Sequence, residues 1–362
     1  MDRSLQRQAT DRPDTLDDKA QAHFRAMLRH PDGPVEVSLS ERMIHVSAGK
    51  GNSAIFERVD DGLALIDEDT NDDLLLHMAC GVIEALFATQ RDLRCLTLLG
   101  SGWHALLPHL LEAGLALPPS RDGTVARVLA EMFWQHAALW MPAISSPYPR
   151  LDIVTGQIEH PIRPPKPRGL LYQRYIPWLH GSLSFDVATL DDLSCLHGWL
   201  NQSRVNEFWN EAGSLADHER YLTRMIEDPH VIPLIGRFED EAFSYFEIYW
   251  AKEDIIGPYC SARDYDRGCH VIVGEERFRG RQWFTAWLPS LLHLMFLSDP
   301  RTQAVVQEPS ASHHRQLKNL QLSGFSHIRT AELPGKRAAI MSITRQHFFS
   351  SRLWHPADRG SP

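Results

Sequence analysis

Cysteine is scarce in this chain. Its five residues, Cys80, Cys95, Cys195, Cys260 and Cys269, form no Cys-x-x-Cys pair, which excludes a disulfide framework and a zinc knuckle. Long apolar runs are missing too: no 18-residue apolar stretch suggests a membrane-spanning helix, and the polar start from Met1 to Asp18 has no signal-peptide core. A soluble, cytoplasmic protein is expected. Positive charge is in deficit, with 37 Lys and Arg against 46 Asp and Glu and a formal charge of −9. That balance argues against a general nucleic-acid binder, which needs a basic field to displace counterions. The histidines His293, His313, His314 and His347 fall into no H-E-x-x-H or H-x-E spacing, so no metal is expected.

With 362 residues the chain has length for two units of ordinary size. Residues 1–34 read as a polar arm in which only Ala20 to Leu28 could form a short amphipathic helix. An N-terminal unit over 35–141 opens with short strand patterns at Val35–Leu39, Met43–Val46, Ser53–Phe56 and Leu63–Ile66. Helix patterns follow at Leu74–Ala88, His104–Glu112 and Val125–Trp140, with a strand at Cys95–Leu99. Gly100-Ser101-Gly102-Trp103-His104 reads as a strand-to-helix turn, because it lacks the rest of a phosphate-loop pattern.

A proline-dense linker is expected over 142–180, since Pro164-Pro165-Lys166-Pro167 suits neither a helix interior nor a central strand. The second unit, 181–350, reads as strand, helix, helix, three strands, helix, strand, helix and two strands, followed by a tail over 351–362. Within it Thr189 is the expected N-cap of a helix start, with Asp192 completing a capping box. The fold class predicted is α/β, a mixed sheet with flanking helices.

Chemistry concentrates in one stretch. An apolar strand pattern, Arg267-Gly268-Cys269-His270-Val271-Ile272-Val273-Gly274, leads into Arg277-Phe278-Arg279-Gly280-Arg281 and then a Trp-rich helix pattern. A helix start exposes unpaired N–H groups that favour anions, glycine lets the backbone approach closely, and guanidinium groups add donors and charge. The combination suits a phosphorylated cofactor. Cys269 and His270 are strand neighbours pointing to opposite faces, so they cannot form a thiolate–imidazole pair.

In this order the second unit resembles the siderophore-biosynthesis branch of the GNAT superfamily of N-acyltransferases. The residues carrying the likeness are His160-Pro161-Ile162-Arg163-Pro164-Pro165, Arg204-Val205-Asn206-Glu207-Phe208-Trp209, Phe246-Glu247-Ile248-Tyr249-Trp250, Gly268-Cys269-His270, Arg279-Gly280, Asp299-Pro300-Arg301-Thr302, Glu308-Pro309, Gly324-Phe325 and Lys336-Arg337-Ala338-Ala339. The N-terminal unit resembles, by layout alone, a degenerate GNAT-like unit that would shape the acceptor mouth or support a dimer.

The resemblance implies an acyl-CoA co-substrate, acetyl-CoA first. Val271 and Val273 would present backbone to the pantetheine, and Arg277, Arg279, Gly280 and Arg281 would face the diphosphate. The superfamily signature Q/R-x-x-G-x-G/A here ends in Gln282 instead of a small residue. His270 is the expected general base, an imidazole being able to take a proton near neutral pH. The family's acidic residue after Glu308-Pro309 is absent, leaving Ser312 or His313 to substitute, or Ser312 simply to cap the following helix. Glu247, Trp209, Trp250 and Asn206, with Arg204, are the expected acceptor contacts. The acceptor implied is a small N-hydroxylated side-chain amine (hydroxylysine, hydroxyornithine or a hydroxydiamine), acylated to a siderophore hydroxamate. An aminoglycoside-type N-acetyltransferase and a non-catalytic CoA-binding protein are the alternatives.

Overall fold

A computed structural model of the chain describes residues 22–27, 33–119, 126–144 and 146–356. The N-terminal half is a seven-stranded sheet whose strands lie in chain order. These are β1 (Ala22–Ala26), β2 (Val35–Leu39), β3 (Met43–Ala48), β4 (Asn52–Val59) and β5 (Gly62–Asp69), then helix α1 (Asp72–Thr89), β6 (Cys95–Leu99), α2 (Leu107–Glu112), β7 (Arg127–Leu129) and α3 (Ala130–Phe133). The β1–β5 meander is antiparallel and β6 joins β5 in parallel. Asn71 starts α1 by accepting a hydrogen bond from the Leu74 N–H, and Asp72 and Asp73 suit its positive end.

Two helical expectations here are corrected. Ala22–Ala26 is not helical but an edge strand in register with β2, and Arg25 Nε donates to Glu36 across that pair at 2.9 Å. The Val125–Trp140 pattern splits into β7, α3 and a 3₁₀ turn, with residue 125 outside the described residues. Its apolar spacing reflects burial of Trp134 and Trp140, whose rings stack at 4.6 Å, and not one amphipathic helix.

A small hairpin, β8 (Asp152–Thr155) and β9 (Ile158–Pro161), precedes the second sheet. That sheet is built from β10 (Leu170–Ile176), β11 (Gly181–Val187), the helices α4 (Leu193–Leu200), α5 (Ser203–Trp209) and α6 (Leu215–Glu227), then β12 (Val231–Phe238), β13 (Glu241–Trp250), α7 (Gly257–Cys260), β14 (Arg267–Val273), α8 (Arg281–Ser298), β15 (Ala304–Gln307), α9 (His314–Leu322), β16 (Ser326–Leu333), β17 (Lys336–Thr344) and α10 (Arg345–Ser350). Its order is β10-β11-β12-β13-β14-β15-β17-β16. The expected linker therefore contains three strands, and β10 already belongs to the second sheet. Thr189 and Asp192 form the capping box foreseen from sequence.

One continuous core joins the two sheets, running from Phe24 to Trp354. His293 of α8 is sealed inside it, with Nε2 at 2.5 Å from the Trp134 carbonyl and Nδ1 at 2.8 Å from the Tyr172 hydroxyl. Burial pushes this imidazole down to about 3, so it stays neutral, donating to the carbonyl and accepting from the phenol. His293 is a packing residue.

Candidate active site

Two features of β14 define the site. On one side it runs antiparallel to β13, with His270 directly opposite Glu247. On the other, pairing with the parallel β15 is confined to Arg267↔Val305 and Gly268↔Val306. The sheet therefore forks beyond Gly268, and β14 from Cys269 to Val273 has no ladder partner on its β15 side among the described residues. Glu308 follows the last residue of β15 and lies at the fork.

These placements bring Glu247, His270 and Glu308 together. His270 Nδ1 lies 3.1 Å from Glu247 Oε2, and Nε2 lies 2.9 Å from Glu308 Oε1. Both carboxylates are buried, whereas 37% of the His270 side chain is exposed. Glu247 also accepts hydrogen bonds from the hydroxyls of Tyr221 and Tyr245, and Glu308 accepts from Tyr249 at 3.0 Å and from Lys336 Nζ at 3.4 Å. Burial and the adjacent carboxylates push all three phenols up, so each stays a donor.

The charges on this cluster depend on one another. Burial opposes a charge on His270, but hydrogen bonds to Glu247 and Glu308 outweigh it and raise the imidazole to about 10. Burial likewise opposes ionisation of Glu308, and the His270 contact overrides it, bringing the carboxyl down to about 2. Glu247 is lowered by the same balance. At neutral pH the site is an imidazolium between two carboxylates, and not the free imidazole expected from sequence.

Gly268 is demanded by this geometry. A Cβ there would lie 2.2 Å from the Tyr249 ring, which stands over the glycine as its cross-strand partner. Tyr249 is buried and bound to Glu308, so it cannot simply step aside. Gly268→Ala is expected to destabilise the protein by about 1–3 kcal/mol through overpacking. A lower melting midpoint together with weakened turnover is the expected result, and an unchanged midpoint would contradict it.

The other expected residues fall into distinct places. Trp209 stands edge-on to His270, with ring centroids 6.1 Å apart. Trp250 does not join it: three residues from Glu247, it points to the opposite face of β13, and the guanidiniums of Arg163 at 4.2 Å and Arg267 at 3.9 Å lie over its ring. Trp250, expected among the acceptor contacts, thus lies on the face of β13 away from Glu247. Glu247 is buried, its Oε1 accepting from the Tyr221 and Tyr245 hydroxyls and its Oε2 facing the His270 ring. Asn206 Oδ1 accepts from the Ala212 N–H at 2.9 Å and shapes the turn after α5.

Ser312 and His313 do not reach His270 through any hydrogen bond. Ser312 is exposed and bonds Ser310 at 2.8 Å. His313, and not Ser312, is the N-cap of α9, and its ring stacks on Phe208 of α5 at 4.8 Å. The carboxylate that meets His270 Nε2 is instead Glu308. Glu308 belongs to the Glu308-Pro309 motif, but its place beside His270 follows from where β15 parts from β14, a register that local sequence does not encode. Tyr221, Tyr249 and Lys336 were likewise not foreseen.

The stretch after β14 retains the features that suit a diphosphate. Gly280 adopts φ 102°, a left-handed conformation that favours glycine, immediately before the 18-residue α8. Arg281 begins that helix, Arg277 pairs with Glu241, and Arg279 lies within electrostatic reach of Arg204. Arg204 donates to the carbonyls of Val273, at 2.8 Å, and Gly274. It therefore braces the end of the strand that bears Val271 and Val273, instead of meeting an acceptor near His270. Cys269 lies on the far face, buried with its thiol pushed up to about 12, and is no nucleophile.

Among the described residues one group has metal-ligand character, His160, His230 and Glu253. Both carboxylate oxygens of Glu253 are already held by Arg163, at 2.5 and 2.7 Å. No described helix is long and apolar enough to cross a membrane.

A forked mixed sheet with a protonatable cluster at the fork and a glycine-preceded helix start beside it is the architecture of an acyl-CoA acyltransferase. Residues 188–333 match the acetyltransferase (GNAT) domain family. The chain is 38% identical over 221 residues to an N(6)-hydroxylysine O-acetyltransferase of Escherichia coli, covering 60% of this chain and 70% of that protein. It is 34% identical over 289 residues to an acyltransferase of Omphalotus olearius, covering 73% of each. An N(5)-hydroxyornithine:cis-anhydromevalonyl coenzyme A-N(5)-transacylase of Beauveria bassiana matches at 43% over 195 residues, 52% of this chain and 43% of that protein. The chain belongs to the GNAT acyltransferase family, although in the Beauveria enzyme it matches less than half of the relative's length.

Proposed function

We propose that the chain transfers an acyl group, acetyl first, from coenzyme A to the nitrogen of an N-hydroxylated side-chain amine, making a siderophore hydroxamate. The observation carrying this reading is the Glu247–His270–Glu308 cluster at the fork of β14 and β15, with His270 its one partly exposed member. The relatives named for hydroxylysine and hydroxyornithine support the choice of acceptor.

The chemistry needs few groups. Hydroxylation lowers the basicity of an amine, so the acceptor arrives uncharged. Its nitrogen attacks the thioester carbonyl, the C–N bond forms, and the C–S bond then breaks. The attacking nitrogen must lose one proton and the departing thiolate must gain one. Both ring nitrogens of His270 already donate to carboxylates, so the proton of the attacking nitrogen is taken up by a carboxylate oxygen of the cluster, which His270 holds ionised and in place, and the cluster then returns a proton to the thiolate. Because His270 is already protonated at rest, the acceptor of the proton is the cluster as a unit.

On the donor side, Gly280, the start of α8 and Arg277, Arg279 and Arg281 would meet the diphosphate, while the backbone at Val271 and Val273 would meet the pantetheine. Arg204 acts through that backbone. Arg204→Met is expected to raise KM for acyl-CoA about tenfold, the loss of charge-assisted hydrogen bonds, while leaving KM for the acceptor nearly constant. An effect confined to the acceptor would contradict this assignment.

The testing experiment measures thiol released from acetyl-CoA with hydroxylysine, hydroxyornithine or an aminoglycoside, together with ferric-binding hydroxamate formed. Equal thiol and hydroxamate with a hydroxyamino acid is expected. Turnover with the aminoglycoside alone, thiol release without hydroxamate, or CoA binding without turnover would each overturn the reading.

A further inference from the structure

The junction between the two sheets holds a polar cluster that acyl transfer does not use. Glu84 of α1 and the tryptophans that follow α3, Trp134 and Trp140, come from the first half of the chain. Arg174 of β10 and Trp354, beyond α10, come from the second, and all five side chains are buried. The indole rings of Trp140, Trp134 and Trp354 stack in a row, at 4.6 and 4.9 Å. The Arg174 guanidinium lies 5.4 Å from the centre of the Trp134 ring and donates through Nη2 to the Trp354 carbonyl at 3.1 Å. Trp140 Nε1 donates to Glu84 Oε1 at 3.0 Å. The remaining atoms are lopsided. Among the described residues no hydrogen-bond partner meets Arg174 Nε or Nη1, Trp134 Nε1, Trp354 Nε1 or Glu84 Oε2, although all five atoms are buried. Four of them are donors, and a buried guanidinium edge left unmet is costly.

We infer that this junction binds one small inorganic anion of the halide class, chloride first, held by Arg174 and the indole N–H groups of Trp134 and Trp354. The donor inventory selects that chemistry. Burial pushes Glu84 up to about 8, against the hydrogen bond from Trp140 and the charge of Arg174, so near neutral pH its carboxyl is largely protonated. Oε1 already accepts from Trp140, which places the proton on Oε2 and makes every unmet atom a donor. His293, which packs against Trp134 and Trp140, is neutral as well and leaves the Arg174 charge unbalanced. A cation would face a guanidinium and a ring of N–H groups. A water could accept two of those bonds but would find no acceptor for its own protons. A halide takes several N–H donors, needs no acceptor and balances the guanidinium. Since none of these side chains is more than 2% exposed, the site suits a single ion and not an organic anion. Held from both halves of the chain, the ion acts on stability.

Thermal unfolding of the whole protein at neutral pH tests this, with gluconate exchanged for chloride at constant ionic strength. The melting midpoint is expected to rise by about 2 °C when chloride reaches roughly ten times its dissociation constant. Trp354→Phe keeps a ring but removes one donor, and should weaken chloride binding about tenfold. Glu84→Gln imitates the protonated carboxyl and should keep the chloride response. Crystals of the unaltered protein grown with bromide need no variant to fold, and should show an anomalous-scattering peak beside Arg174. Absence of either the chloride effect or that peak means that water meets these donors, and overturns the inference. A chloride effect that appears only in Glu84→Gln makes Glu84 itself the counter-charge, and one unchanged in Trp354→Phe places the ion elsewhere; each overturns it too.

Discussion

His270→Gln is expected to lower kcat by roughly 10²–10⁴-fold while leaving acyl-CoA binding intact. The range is that of a positioned proton-transfer group. CoA binding should survive because the residues proposed to meet the diphosphate follow β14 and are apart from the His270 ring. The same substitution should cost stability. Glu247 and Glu308 are both buried, and without the imidazolium they become like charges facing a common space. Breaking a buried charge cluster by removing one partner costs about 3–5 kcal/mol, a large share of a typical stability of about 5–15 kcal/mol. Steady-state kinetics, calorimetric CoA binding and denaturant unfolding separate the two effects. Turnover within a few-fold of the parent would remove His270 from the proton path.

Stability should depend on pH from both sides of neutrality, for opposite reasons. His270 lies at about 10 in the folded chain against an ordinary 6.5. A raised value means that the folded state holds the proton more tightly, so this contribution is complete below about 6.5 and is lost as pH rises through about 10. Glu308 lies at about 2 against an ordinary 4.5. Its contribution is present above about 4.5 and is lost as pH falls towards 2. Both arise from one set of contacts, so they act as a single coupled contribution seen from its two ends. The melting midpoint, followed from about pH 3 to about pH 11, should therefore decline on both flanks. In His270→Gln the alkaline decline should flatten most, since the titrating group is gone, while an alkaline decline identical to the parent's would show that another group causes it.

Much of the fold was legible because its elements follow simple periods. β6, β12 and β15 fall where the strand patterns place them, and the capping box at Thr189 marks its turn. The failures have physical causes. Ala22–Ala26 was too short for its period to distinguish helix from strand, and pairing with β2 decided it. β10 was hidden by the prolines that precede it, because an edge strand tolerates them nearby. Val125–Trp140 misled because tryptophans buried by tertiary stacking imitate a helical stripe.

The site divides in the same way. His270 was legible from its strand and its glycine, and the arginines after Gly274 from the helix start that follows. Glu308 was not, because its role depends on where β15 parts from β14, a register that local sequence does not encode. The face of Trp250 was legible beforehand, since an offset of three residues from Glu247 puts it on the opposite side of the strand. The protonation state of His270 was beyond sequence, as it depends on two carboxylates at positions 247 and 308 meeting one ring.

The claim on which the account depends is that one proton resides on His270 between two ionised carboxylates and that this cluster, not a free imidazole, serves acyl transfer. Nitrogen NMR of the His270 ring in the whole protein, titrated from about pH 6 to about pH 11, tests it most directly. Both ring nitrogens should remain protonated through neutrality, with a midpoint near 10. A ring already neutral at about pH 7.5 would contradict the account and return His270 to the role of a simple base.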